Sequence, residues 1–160
     1  MANIKDVALH AGVSVTTVSH VVNGTRFVSE VARQRVEAAV RELGYVPSAV
    51  ARSLKHNTTR TFGMVIPNNS NPYFAEIIQG VEARCFAAGY NVILCNSNDD
   101  VERQALYLRV LAQKRVDGLV FVASGSDAVV RATLGEISTP MVLLDREVAG
   151  VSNGDLVEVN

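Results

Sequence analysis

The run Ile4–Asn23, IKDVALHAGVSVTTVSHVVN, leaves the chain little freedom. Apolar residues fall at Ile4, Val7, Ala8 and Ala11, then resume at Val15, Val18, Val21 and Val22. Both sets have the three-four spacing of an amphipathic helix. Between them, Gly12 can take the left-handed conformation that ends a helix. Ser14 can cap the next helix by accepting from its first free amides. Two short helices must therefore meet at a tight corner filled by Val13, the pattern of a helix-turn-helix. Val15, Thr16, Thr17, Ser19 and His20 surround the start and middle of the second helix. They are short or polar side chains of the kind that approach base edges and phosphates in a major groove. The plainer alternative is a solvated helical hairpin.

A third helix is expected over 30–43, with Val31, Val36, Ala39, Val40 and Leu43 as its apolar stripe and Gly44 as its stop. Before it, Arg26 sits in a short loop, placed either to reach a phosphate or to stand in solvent. Three helices in so few residues make a core that is marginal alone. Pro47-Ser48-Ala49-Val50-Ala51-Arg52-Ser53-Leu54-Lys55 follows. Proline suits a first helical turn, but a segment of about nine residues does not hold as an isolated helix in water. It is expected to become helical only against a partner. Leu54 either packs on a neighbouring domain or serves as an apolar wedge in a minor-groove base step; spacing leaves both open. His56–Arg60 is polar and forms a junction.

From Thr61 the period changes. Apolar runs of strand length at Phe62–Pro67, Asn91–Cys95, Gly118–Ala123 and Met141–Asp145 alternate with amphipathic stretches at 73–88, 102–115 and 128–137. The second run reads as a buried strand. The first amphipathic stretch carries Phe74, Ile77, Ile78, Val81, Cys85 and Phe86 on one side. This alternation predicts an α/β, doubly wound parallel sheet covered on both faces. The 48% of apolar residues is enough to fill its core. The expected organisation is a headpiece over 1–46, a hinge and linker over 47–60, and the α/β part over 61–160.

Charge divides along the same boundary. Lys and Arg outnumber Asp and Glu eight to four over 1–60 and are outnumbered twelve to seven over 61–160. A basic head on an acidic body suits a head that meets phosphate and a body that does not. Cys85 and Cys95 lie in apolar runs without a CxxC, the pattern of reduced cysteines in a cytoplasmic protein. The N-terminus has no apolar leader, and no apolar run approaches the roughly 18 residues of a membrane span. The chain shows no GxGxxG after its first strand, no GxxxxGK[ST] and no GxSxG. His10, His20 and His56 all fall in the first sixty residues without metal-ligand spacing. No enzymatic activity, metal or cofactor is expected.

In doubly wound sheets, ligands sit beyond the carboxyl ends of the strands. Those ends carry Asn68-Asn69-Ser70-Asn71-Pro72-Tyr73-Phe74, then Asn96-Ser97-Asn98-Asp99-Asp100, then Ser124-Gly125, then Asp145-Arg146. Amides and hydroxyls with a charged Asp/Arg pair and flat aromatic faces are how a pocket grips a sugar or a base. Each also has a plain role as a cap, a turn, a core residue or a surface pair.

IKDVALHAGVSVTTVSHVVNGTRFVSE, with ELGYVPSAVARSLK, resembles the DNA-binding head and hinge of the LacI family of bacterial repressors over residues 3–55, and the likeness continues through residue 146. VSHVVNGTRF, PSAVARSLK and AQKRVDGL look most like the purine and ribose-operon repressors of that family. The resemblance implies that Ser14, Val15, Thr16, Thr17, Ser19, His20, Asn23 and Arg26 meet operator DNA, joined by Arg52, Leu54 and Lys55 of the hinge. It makes Leu54 the minor-groove wedge and pairs two hinges through Val50 and Ala51, which implies a homodimer. It implies a periplasmic-binding-protein-like effector subdomain in which Asn71, Tyr73, Phe74, Asp145 and Arg146 bind a small molecule. Arg146 after Asp145 points to ribose or another sugar, with a purine, or a truncated DNA-binding fragment without effector response, as the alternatives. Whether the effector releases or promotes DNA binding is left open by these motifs. Family members carry a second α/β subdomain, so the chain is expected to be a fragment or truncated product. Leu156–Asn160 is expected to open the crossover, and 147–155 to be a loop.

Overall fold

A computed structural model of the chain describes residues 2–48, 53, 57–151 and 154–158. The chain divides into two compact units, Met1–Ala51 and Arg52–Asn160. Arg52, Leu54 and Lys55, with the hinge residues Val50 and Ala51, lie outside the described residues.

The first unit is built from α1 (Ile4–Ala11), α2 (Val15–Asn23) and α3 (Glu30–Glu42). Asn3 caps α1 in a capping box with Asp6, satisfying amides that have no partner inside the helix. Gly12 ends α1 at φ 64° and Gly24 ends α2 at φ 62°, both left-handed. Val7, Ala8, Ala11, Val18, Val36 and Ala39 form the core, with Val13, Val22, Leu43 and Tyr45 packed at its margin. The corner expected at Ala11–Ser14 is present, with Val13 filling it. Val31 departs from the expected stripe: it is 63% exposed, because it lies in the first turn of α3, off the face that carries Val36 and Ala39.

The second unit is a parallel sheet of five strands in the order β2-β1-β3-β4-β5. The strands are β1 (Thr61–Ile66), β2 (Asn91–Asn96), β3 (Gly118–Val122), β4 (Met141–Leu144) and β5 (Gly154–Val157). The helices between them are α4 (Pro72–Ala87), α5 (Val101–Gln113) and α6 (Asp127–Leu134). Two clusters show that both faces are covered. Met64, Ile66, Phe74 and Val122 pack with Ile77, Ile78 and Val81 of α4. Val65, Leu119, Phe121 and Leu143 pack with Leu108 and Leu111 of α5 and Val130 and Leu134 of α6. Neighbouring residues along β1 and β3 thus enter opposite cores, which is why these strands read as unbroken apolar runs. Gly63 permits one close approach: a Cβ there would lie 2.7 Å from Leu111 Cδ1 and 2.9 Å from Leu119 Cδ2.

Three expectations need correcting. β2 is an edge strand whose residues are half-buried or exposed, with Leu94 40% exposed. Phe86 is 83% exposed, away from the side of α4 that packs on the sheet. The last strand runs Gly154–Val157, earlier than expected, paired parallel to β4 from Met141↔Gly154 to Leu144↔Val157.

The polar junction before β1 is tied down. Asp117, just ahead of β3, accepts from the Thr59 amide at 2.7 Å, the Thr59 hydroxyl at 3.0 Å, the Arg60 amide at 2.8 Å and the Thr58 hydroxyl. Desolvation pushes this carboxyl up, but the four hydrogen bonds outweigh it and hold Asp117 below the usual Asp value.

Candidate nucleic-acid interface and ligand cleft

On α2 the expected DNA-facing side chains divide into those braced by a neighbour and those left free. Ser14 accepts from the Thr17 amide at 3.1 Å, and the two hydroxyls meet at 2.9 Å. Asn23 donates its side-chain amide to the Ser19 carbonyl at 2.8 Å and the Ser19 hydroxyl at 3.3 Å. His20 Nδ1 lies 2.8 Å from the Thr25 hydroxyl. Val15 is 42% exposed. Thr16 and Arg26 are exposed and make no side-chain hydrogen bond or ion pair among the described residues. The helix thus presents an apolar methyl surface at Val15, an uncommitted hydroxyl at Thr16 and a fixed imidazole at His20. Methyl contact with thymine and hydrogen bonds to base edges use such groups. Val18, one turn from Val15 and across the helix from Thr16 and His20, is fully buried and anchors α2 to the core.

In the second unit, the sheet order places a switch point between β1 and β3. From β1 the chain goes outward through α4 to β2, then returns through α5 on the other face to β3. At such a point the loops beyond the two strands run to opposite faces, and it is there, beyond the carboxyl ends, that doubly wound sheets bind their ligands. Asn71 caps α4 by accepting from the Tyr73 amide at 3.0 Å. This leaves Tyr73 exposed at the rim, its hydroxyl donating to Asp145 Oδ1 at 3.1 Å. Desolvation, then the Asp145 carboxylate, push the Tyr73 hydroxyl up from its ordinary value. Asp145 itself holds a left-handed φ of 77°, which aims it away from the strand direction. Asn96 donates to Asn69 at 2.9 Å and to Asn98 at 3.1 Å, linking the loops after β1 and β2.

Two sequence-based expectations change here. Asp145 and Arg146 do not act as a pair. Arg146 turns to Asp127 at 2.6 Å and also donates to the carbonyls of Gly125 at 2.7 Å and Ala123 at 3.3 Å. The Arg146 bond, then the Ala149 amide, hold the Asp127 carboxyl below its usual value. Arg146 thus binds the loop after β4 to the loop after β3. Phe74 is 9% exposed within the core under α4, and its ring meets Tyr73 edge-on, with centroids 5.1 Å apart. The two aromatics do not stand as paired flat faces. Tyr73 reaches the rim, while Phe74 points inward because it follows by one residue on a helix.

Sequence reasoning missed Gln104, which is buried on α5. It accepts from the Ser124 amide at 2.8 Å and donates to the Ser124 carbonyl at 3.2 Å. It also missed Asp127. Neither has a local signal, because each partner lies about twenty residues away along the chain.

Residues 3–48 match the family "Bacterial regulatory proteins, lacI family", and residues 59–152 match "Periplasmic binding proteins and sugar binding domain of LacI family". The chain is 56% identical over 146 residues to the HTH-type transcriptional repressor PurR of Photobacterium profundum, covering 91% of this chain and 44% of that protein. It is 50% identical over 159 residues to PurR of Yersinia enterocolitica, covering 99% and 46%. Among solved structures, the lac repressor dimer bound to operator and the anti-inducer ONPF superposes with a TM-score of 0.81 at 29% identity, over 97% of this chain and 48% of that one. A putative ribose operon repressor from Burkholderia thailandensis gives 0.56 at 29% identity, over 62% and 37%. The chain spans less than half the length of the curated relatives it matches. The helix-turn-helix, the parallel sheet and matches spanning both units agree: the chain belongs to the LacI family of bacterial regulatory proteins.

Proposed function

We propose that the chain is the DNA-binding and first effector-binding part of a transcriptional repressor that binds operator DNA as a homodimer and responds to a small molecule. The observation that carries this is α2: a helix anchored by Val18 whose opposite side offers Thr16 and His20 to a groove, with Val15 exposed in its first turn and Arg26 free beyond it. Two copies would place two such helices in adjacent major grooves of a near-palindromic site, with Leu54 from each hinge opening the central minor groove.

For the effector, a purine is favoured over ribose. Relatives at 50–56% identity carry the name PurR, whereas the likeness to a putative ribose operon repressor stands at 29%. Tyr73, Asp145 and Asn71 form the rim that would meet the ligand, and Arg146 holds the two loops that shape it. Among the described residues no helix is long and apolar enough to cross a membrane.

The test is a gel shift of the chain on duplex DNA, titrated with salt and repeated with purine bases and with ribose. Sequence-selective binding with a steep salt dependence supports the operator reading. A response to purine but not to ribose supports the effector assignment, and the reverse restores the sugar. Thr16→Ala should relax preference at one base pair by roughly two- to tenfold, the worth of one neutral hydrogen bond; an equal loss on all sequences would remove Thr16 as a base reader.

A further inference from the structure

Thr25 lies outside α2, in the loop that follows it, yet makes two contacts to one residue of that helix. Its amide donates to the His20 carbonyl at 3.3 Å, and its hydroxyl meets His20 Nδ1 at 2.8 Å. Gly24 makes this possible. Its φ of 62° reverses the chain, and its own amide also reaches the His20 carbonyl, so Thr25 folds back over the last turn. The other two braces on this surface, Ser14 with Thr17 and Ser19 with Asn23, join residues of the helix and its cap. Among the described residues, the Thr25 brace alone comes from beyond the helix end.

We infer that Thr25 is a positioning residue for base reading: it fixes the His20 imidazole on α2 so that Nε2 is the ring nitrogen offered outward. This rests on the DNA-binding reading of α2. An imidazole rotates about χ2, and a half-turn exchanges Nδ1 with Cδ2 and Nε2 with Cε1, so an unbraced ring can present a carbon where the braced ring presents Nε2. A hydroxyl can serve as donor or acceptor. If the Thr25 hydroxyl donates to Nδ1, the ring hydrogen resides on Nε2, whose complement is an acceptor on a purine edge, such as N7. If it accepts from Nδ1, Nε2 is an acceptor, whose complement is an exocyclic amine. The ordering of the side chain is then complete before DNA arrives, and the ordering loss on binding is correspondingly smaller.

Two variants test this in the full 160-residue chain. Thr25→Val removes the hydroxyl at nearly constant shape, and Thr25→Ser keeps it. Both retain the backbone bond to the His20 carbonyl, so the helix end is held constant. Ring 13C relaxation and 15N shifts of His20 report the brace without DNA. Selection from a random duplex pool reports base preference. Thr25→Val is expected to loosen the His20 ring and to lower preference at a single base pair by about threefold to tenfold. Preference elsewhere should be unchanged, and Thr25→Ser should restore both readouts. A His20 ring equally ordered in Thr25→Val overturns the inference. So does a loosened ring with an unaltered preference profile, which would leave Thr25 a purely structural role. A wild-type chain that enriches no sequence sinks the DNA reading instead, while the ring measurements still decide whether the brace exists.

Discussion

Asp117→Asn is the substitution whose consequences can be worked furthest from the structure. Oδ1 accepts from the Thr59 amide and hydroxyl, and Oδ2 from the Arg60 amide and the Thr58 hydroxyl. An asparagine replaces one of these oxygens by an NH2 group. Hydroxyls can rotate to accept from it, but amides cannot. Whichever way the new side chain sits, one backbone amide faces a donor and the remaining bonds lose their charged acceptor. Hydrogen bonds to a charged group contribute about 1.5–3 kcal/mol each, and this one is partly open to solvent. A loss of about 2 kcal/mol follows, a large part of the 5–15 kcal/mol typical of a domain. Urea unfolding of the α/β unit at pH 7, followed by circular dichroism, should show a lower midpoint at unchanged slope. The folded carboxyl titrates below its unfolded value. Its contribution is therefore complete above the ordinary Asp value of about 3.9 and fades as the pH falls through the folded value. The two proteins should converge in acid. Equal midpoints at pH 7, or a gap that persists undiminished in acid, would refute the role given to Asp117.

Phe74→Ala should destabilise the same unit by about 3–5 kcal/mol, as expected for emptying a buried aromatic site; a stable variant that has lost only effector response would move Phe74 from the core to the cleft. Gly63→Ala should cost about 1–3 kcal/mol, because the new methyl meets Leu111 and Leu119 side chains, read as a lower thermal midpoint that a compensating Leu111→Val should partly recover. Gln104→Ala leaves the Ser124 amide and carbonyl without their partner, so about 2 kcal/mol should be lost, and protease sensitivity should rise first in the loop after β3.

The elements with strong local signals were legible in the sequence. Gly12 and Ser14 mark the corner between α1 and α2, and the unbroken apolar runs of β1 and β3 announce strands buried on both faces. What failed depended on neighbours that periodicity does not name. NVILC is as apolar as a central strand, yet β2 has a partner on one side only, and nothing within those residues records that. Val31 and Phe86 continue an apolar spacing beyond the part of the helix that touches a core. In the cleft, the residue types at the strand ends were apparent, but their partners were not. Arg146 chose Asp127 over its neighbour Asp145 because the loops after β3 and β4 adjoin, a fact of sheet order. Gln104 and Asp117 were invisible for the same reason, each being satisfied by residues far along the chain.

The Ser14 cap and the left-handed Gly24 that bound α2 also set how much information it can extract. With nine residues between the Ser14 cap and Gly24, the helix is about 13 Å long. On the proposed reading, that length lies along about four base pairs of duplex, whose charges repeat every ~3.4 Å on each strand. Four base pairs, each with four distinguishable identities, recur by chance about once in 256 positions. A single head is therefore unable to name a place in a bacterial chromosome, however well each contact is made. Two heads in register square that figure to roughly one in 65,000. Whatever holds the heads in register and reads the intervening base steps then contributes as much to addressing a gene as the reading helix does.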